Sequence, residues 1–64
     1  MKIGVTGASG FIGRKLCKAL NESDFEVYKF VRRDPKNEYE IYWKPSKKEI
    51  DQEKFESLDA VIHL

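Results

Sequence analysis

A strand that turns through three glycines into a helix is the feature that most constrains this chain. The stretch is Thr6-Gly7-Ala8-Ser9-Gly10-Phe11-Ile12-Gly13, with the apolar run Ile3 to Val5 before it and a helical pattern from about Gly10 after it. The first turn of a helix carries backbone N–H groups without intrahelical partners, and the macrodipole adds partial positive charge there. A glycine turn that delivers a strand straight to such a terminus makes a site for a pyrophosphate. Each glycine has a separate reason to be there. Gly7 turns the chain off the strand, Gly10 leaves room for phosphate oxygens against the backbone, and Gly13 lets the helix pack close to the strand.

The spacing is Gly-x-x-Gly-x-x-Gly, one residue wider in its first gap than the usual dinucleotide fingerprint, and the strand–turn–helix context is what gives it meaning. The residues expected to bind a dinucleotide here are Gly7, Ser9, Gly10, Phe11, Ile12 and Gly13, through backbone N–H groups and the Ser9 hydroxyl. A Walker-type ATPase is disfavoured, because Arg14 and Lys15 follow Gly13 where that motif needs Gly-Lys-Ser/Thr.

Along the chain, Met1 to Thr6 reads as the first strand, with Ile3 and Val5 on one face and Gly4 and Thr6 on the other. The helix is expected from Gly10 to Asn21, with an apolar stripe of Ile12, Leu16, Ala19 and Leu20. Cys17 borders that stripe and reads as a packing residue. Phe25 to Val31 is a nearly continuous apolar run, as in a parallel strand covered on both faces. Tyr39 to Trp43 alternates, with Tyr39, Ile41 and Trp43 on one face, and suits a strand near a sheet edge. The charged stretch Lys47 to Ser57 reads as a solvated face with one or two weak helical turns. Asp59 to Leu64 reads as a buried strand. The fold class implied is α/β: the N-terminal half of a Rossmann fold, a parallel sheet of about four strands in the order 3-2-1-4. Because the chain stops on Ala60-Val61-Ile62-His63-Leu64 with no turn or polar tail, residues 1–64 are expected to be the N-terminal part of a single NAD(P)-binding domain of a longer protein.

In this fold the tip of the second strand chooses between NAD and NADP. An acid there bonds the ribose 2′-OH, whereas arginine accommodates a 2′-phosphate. About 20 residues past the glycines, the place of the acid falls at Val31, and Arg32 and Arg33 follow. Their forked donors suit a dianionic phosphate, so NADP is the expected cofactor, with NAD as the alternative. Asp34 supports that alternative only if it turns inward, and a position before Pro35 favours a turn-forming role. A plain solvated basic turn is the other reading of the arginine pair.

Thr-Gly-Ala-Ser-Gly-Phe-Ile-Gly closely resembles the glycine motif of the extended and atypical short-chain dehydrogenases, the NAD(P)-dependent epimerase/dehydratase group. With Glu26-Val27, Arg32, Trp43, Pro45 and Asp59 to Leu64 in order behind it, the chain is most similar to the nucleoside-diphosphate-sugar epimerase branch of the atypical members. That family commonly has asparagine and glycine where this chain has His63 and Ser57. The resemblance implies an NADP-dependent oxidoreductase or epimerase acting on a nucleotide sugar or related small molecule. The alternative from another class is a non-catalytic dinucleotide-binding module, a redox sensor or scaffold. The broader superfamily uses Tyr-x-x-x-Lys, but Arg32, Trp43 and Ser46 stand four residues after Tyr28, Tyr39 and Tyr42. No catalytic residue and no metal ligand is therefore expected within the chain. His63, a lone histidine in an apolar strand, reads as a packed, hydrogen-bonded core residue.

Twelve basic and eleven acidic residues leave a net charge of +1, which argues against nucleic acid or an anionic membrane as the main partner. No apolar run is long enough to span a bilayer and no signal peptide is visible. The single cysteine fits a reducing compartment, so a cytoplasmic location is expected.

Overall fold

The computed structural model describes residues 1–64. Its elements are β1 (Lys2–Val5), α1 (Phe11–Glu22), β2 (Glu26–Val31), β3 (Glu40–Lys44), a 3-10 turn (Pro45–Lys47), β4 (Glu49–Ile50), α2 (Gln52–Glu56) and β5 (Ala60–Ile62). They form one sheet in the order β4-β3-β2-β1-β5. β1 runs parallel to both β2 and β5, and β2 runs parallel to β3. The four parallel strands thus take the order the sequence implies, in an α/β architecture matching the N-terminal half of a Rossmann fold.

The fifth strand is an addition. β4 lies within the charged stretch and pairs antiparallel with β3, Trp43 opposite Ile50 and Lys44 opposite Glu49. The reversal rests on Lys48, whose φ of 55° is left-handed. Tyr42 Oη then donates to Glu49 Oε1 at 2.9 Å across the pair. The rest of that stretch forms the single short helix α2, capped by the Asp51 carboxylate, which accepts from Lys54 N–H at 3.2 Å.

Under α1 the core consists of Ile3, Val5, Ala8, Cys17 and Val27, joined by Leu16, Leu20, Phe25 and Ile62. The expected helical stripe is therefore rotated. Ile12 is 70% exposed and Ala19 is exposed, while Gly13 and Cys17 are buried. The contact line is Gly13-Leu16-Cys17-Leu20, and its first position is a glycine, which carries no apolar signal in the sequence. Burial pushes the Cys17 thiol pKa up, with Lys29 partly opposing, as suits a packing residue and not a nucleophile.

On the opposite face, a Cβ on Gly4 would lie 2.6 Å from Leu58 Cδ1 and 2.8 Å from Phe30 Cε2, so the missing side chain is filled by these neighbours. Phe30 also meets Trp43 edge-on at 5.5 Å between centroids and Phe55 at 6.4 Å.

Two strands are less covered than their apolar composition implies. In β2 only Val27 is buried, with Glu26 and Lys29 exposed. β5 is a sheet edge: Ala60 and Val61 are exposed and only Ile62 packs on the core. His63 is hydrogen-bonded, as expected, but exposed, since nothing within residues 1–64 covers the outer side of β5.

β5 is tied to β1 at both ends. Lys2 N–H donates to Asp59 Oδ2 and Asp59 N–H donates to Lys2 O, each at 2.7 Å. At the other end the buried Thr6 hydroxyl accepts from Leu64 N–H at 3.1 Å and lies 2.9 Å from His63 Nδ1. The hydroxyl oxygen thus joins the last two residues of the chain to the end of β1. Thr6→Val keeps the volume but leaves Leu64 N–H without its acceptor, and should cost about 1 kcal/mol. Faster hydrogen exchange at Leu64 and a lower melting temperature are the expected results. No helix of the chain is long and apolar enough to cross a membrane.

Candidate functional site

The turn between β1 and α1 is built from three glycines with three different environments. Gly7 has φ +67°, a left-handed conformation that side chains disfavour. Gly13 is pressed onto the turn it has just left: an added Cβ would lie 2.1 Å from Gly7 O and 2.8 Å from Ala8 Cα. Gly10 has neither constraint. Its φ of −74° suits any residue, and the nearest atom to an added Cβ is Gly7 O at an ordinary 3.5 Å. What its missing side chain preserves is open space on the outside of the turn.

The N–H groups that follow Gly10 are free donors. Gly10 N–H is taken by Gly7 O at 3.2 Å, and the first bond into the helix runs from Arg14 N–H to Gly10 O at 2.9 Å. The N–H groups of Phe11, Ile12 and Gly13 have no acceptor within the protein. No side chain caps this end and no acidic residue sits in the first turn, so its partial positive charge is unopposed.

Beside the turn lies a cleft of about 660 Å³. Gly7, Ala8 and Ser9 form one wall, the end of β2 from Lys29 to Arg33 forms another, and Arg14 and Glu40 complete it. The structure thus brings Gly7, Ser9, Arg32 and Arg33 together. Gly10, Phe11 and Ile12 are exposed at the helix start, outside the cleft walls, and Gly13 is buried as a packing contact. Arg14 and Lys29 were not singled out by sequence reasoning. Arg14 directly follows the last glycine of the motif, and that adjacency was the available signal.

The two arginines are not equivalent. Arg32 is exposed and has no hydrogen-bond or ion-pair partner. Arg33 donates from Nη1 and Nη2 to the two Glu40 carboxylate oxygens, both at 2.7 Å, and from Nη1 to Asp34 O at 3.1 Å. Asp34 itself lies off this cleft, lining a hollow with Pro35. The Arg33 bonds, followed by the Lys36 N–H donated at 2.7 Å, hold the Glu40 pKa down at about 2.

A second cleft of about 320 Å³ shares Gly7, Phe30 and Arg32 with the first. Trp43, Pro45, His63 and Leu64 contribute to its lining. Arg32 therefore stands between a polar cleft bearing four cations and a smaller one with apolar and aromatic walls.

Free helix-terminal donors, an open approach over Gly10 and a cationic wall together fit a pyrophosphate-bearing ligand. They are set at the carboxyl ends of parallel strands, where α/β proteins of this architecture receive their ligands. The chain belongs to the NAD dependent epimerase/dehydratase family, whose model matches residues 3–64. It is 39% identical over 62 residues to an epimerase family protein of Mycobacterium leprae, a match covering 97% of this chain and 20% of that protein. Epimerase family proteins of Mycobacterium bovis and Mycobacterium tuberculosis match at the same identity and share of this chain, covering 21% of each. The chain thus spans about a fifth of the length of these curated relatives. No solved structure matches it significantly. The family implies a nicotinamide dinucleotide as cofactor.

Proposed function

We propose that residues 1–64 are the N-terminal, cofactor-binding part of a single Rossmann domain in a longer NADP(H)-dependent epimerase or oxidoreductase, acting in the cytoplasm on a nucleotide sugar or related small molecule. The observation that carries this reading is Gly10, a glycine required neither by its backbone nor by packing, placed over unpartnered N–H groups.

In this reading Phe11 and Ile12 N–H groups and the Ser9 hydroxyl hold the pyrophosphate, with Arg14 balancing its charge. Gly7 shapes the turn, and Gly13 anchors it. Arg32 meets the 2′-phosphate, with Arg33 beside it, and the smaller cleft around Trp43 and Pro45 takes the adenine. When bound, the nicotinamide supplies hydride exchange with a substrate carbon. The chain's own contribution is to bind and orient. Substrate contacts and acid–base groups belong to sequence beyond Leu64.

The family's description names NAD; the unpaired Arg32 is what favours NADP in this chain. A charge-assisted contact is worth about 1.5–3 kcal/mol, roughly ten- to hundredfold in affinity. The full-length protein should therefore bind NADPH more tightly than NADH, and Arg32→Ala should remove most of that difference while changing NADH binding little. Paired titrations decide it. Equal affinity or an NADH preference in the unmodified protein would overturn the NADP assignment.

A further inference from the structure

We infer that Glu40 is a specificity-determining residue that limits the preference for NADPH, by withholding Arg33 from the 2′-phosphate. The inference rests on the dinucleotide site proposed above.

Glu40 begins β3 opposite Lys29 of β2, and it is the only carboxylate in a cleft wall that also carries Arg14, Lys29, Arg32 and Arg33. It cannot swing aside. Oε1 accepts from Lys36 N–H at 2.7 Å as well as from Arg33, and the Glu40 backbone bonds Lys54 Nζ through O and Asn37 O through N–H. The Glu40 side chain is 13% exposed against 48% for Arg33, so the carboxylate is the fixed partner and the arginine the one drawn to it.

A guanidinium has five N–H donors. Arg33 spends three of them, two on Glu40 and one on Asp34 O, whereas Arg32 spends none. A phosphate arriving at the strand tip finds Arg32 free and Arg33 with two donors left and its charge offset by an adjacent carboxylate. The ribose 2′-OH of NADH carries no charge, so the same carboxylate affects it far less. With its pKa held at about 2, Glu40 stays ionised across physiological pH, and the restraint is permanent and not a pH switch.

The test is titration of the full-length protein with NADPH and NADH, comparing wild type, Glu40→Gln, Arg33→Ala and the double variant. Glutamine keeps an acceptor for Lys36 N–H and removes the charge. Glu40→Gln should bind NADPH about three- to tenfold more tightly, with NADH unchanged. The gain should vanish in Glu40→Gln/Arg33→Ala, because it acts through Arg33. Should Glu40→Gln not fold, Arg33→Ala alone still decides: it should weaken NADPH binding much less than Arg32→Ala does. Weaker NADPH binding in Glu40→Gln, an equal change for both nucleotides, or an Arg33→Ala loss as large as that of Arg32→Ala would overturn the inference. A wild-type protein that binds neither nucleotide would instead remove the dinucleotide reading itself.

Discussion

Replacing Gly13 with alanine should cost the protein much of its stability. The added methyl would sit 2.1 Å from Gly7 O and within 3 Å of two further backbone atoms, and none of these is the movable end of a side chain. Relief requires α1 to move off the turn, which opens the line of contact through Leu16, Cys17 and Leu20. Overpacking of this kind costs typically about 1–3 kcal/mol, and a backbone obstacle places this case at the upper end. A loss of about 3 kcal/mol is a large fraction of the total for any small domain. In the longer full-length protein it corresponds to a fall in melting temperature of roughly 6–12 °C. Circular dichroism melts of wild type and Gly13→Ala measure it directly, and a fall of only a few degrees would show that the helix can shift at little cost.

Three residues earlier, the same kind of change should have the opposite signature. Gly10→Val adds a side chain where φ is ordinary and the nearest neighbour of a new Cβ is 3.5 Å away, so the fold should survive. Loss of glycine at this helix N-cap costs at most about 1 kcal/mol. The branched side chain would, however, occupy the approach to the Phe11 and Ile12 N–H groups. If two charge-assisted bonds to the pyrophosphate are lost, affinity falls by at least about a hundredfold. Dinucleotide titration beside a melting curve separates the two effects. A folded Gly10→Val variant with unchanged affinity would place the phosphates elsewhere.

This contrast also shows what the sequence made legible. The glycine turn could be read because each glycine answers a separate physical demand, and the parallel strand order followed from the strand–helix–strand pattern around it. The rotation of α1 could not be read, since its contact line begins at a glycine and hydrophobic periodicity cannot count a residue without a side chain. β4 escaped because it is two residues long and depends on a left-handed Lys48 that no pattern marks. At the site, Arg32 and Arg33 look identical in sequence. Only the folded β2–β3 connection brings Glu40 back across seven positions to pair with one and leave the other free. The same geometry adds Arg14 to the cleft from the first turn of α1, and Lys29 from a strand whose apolar run reads as covered on both faces.

The central claim is that a dinucleotide sits with its pyrophosphate on the α1 terminus and its ribose phosphate at the β2 tip. Backbone amide chemical shifts of the isotope-labelled full-length protein, followed as NADPH is added, test it residue by residue. Saturable shifts at Ser9, Gly10, Phe11 and Ile12 and at Arg32 and Arg33, with the α1 end around Asn21 unmoved, are the predicted result. Saturable binding that leaves the Phe11 and Ile12 amides unshifted, or no binding at all, would contradict it.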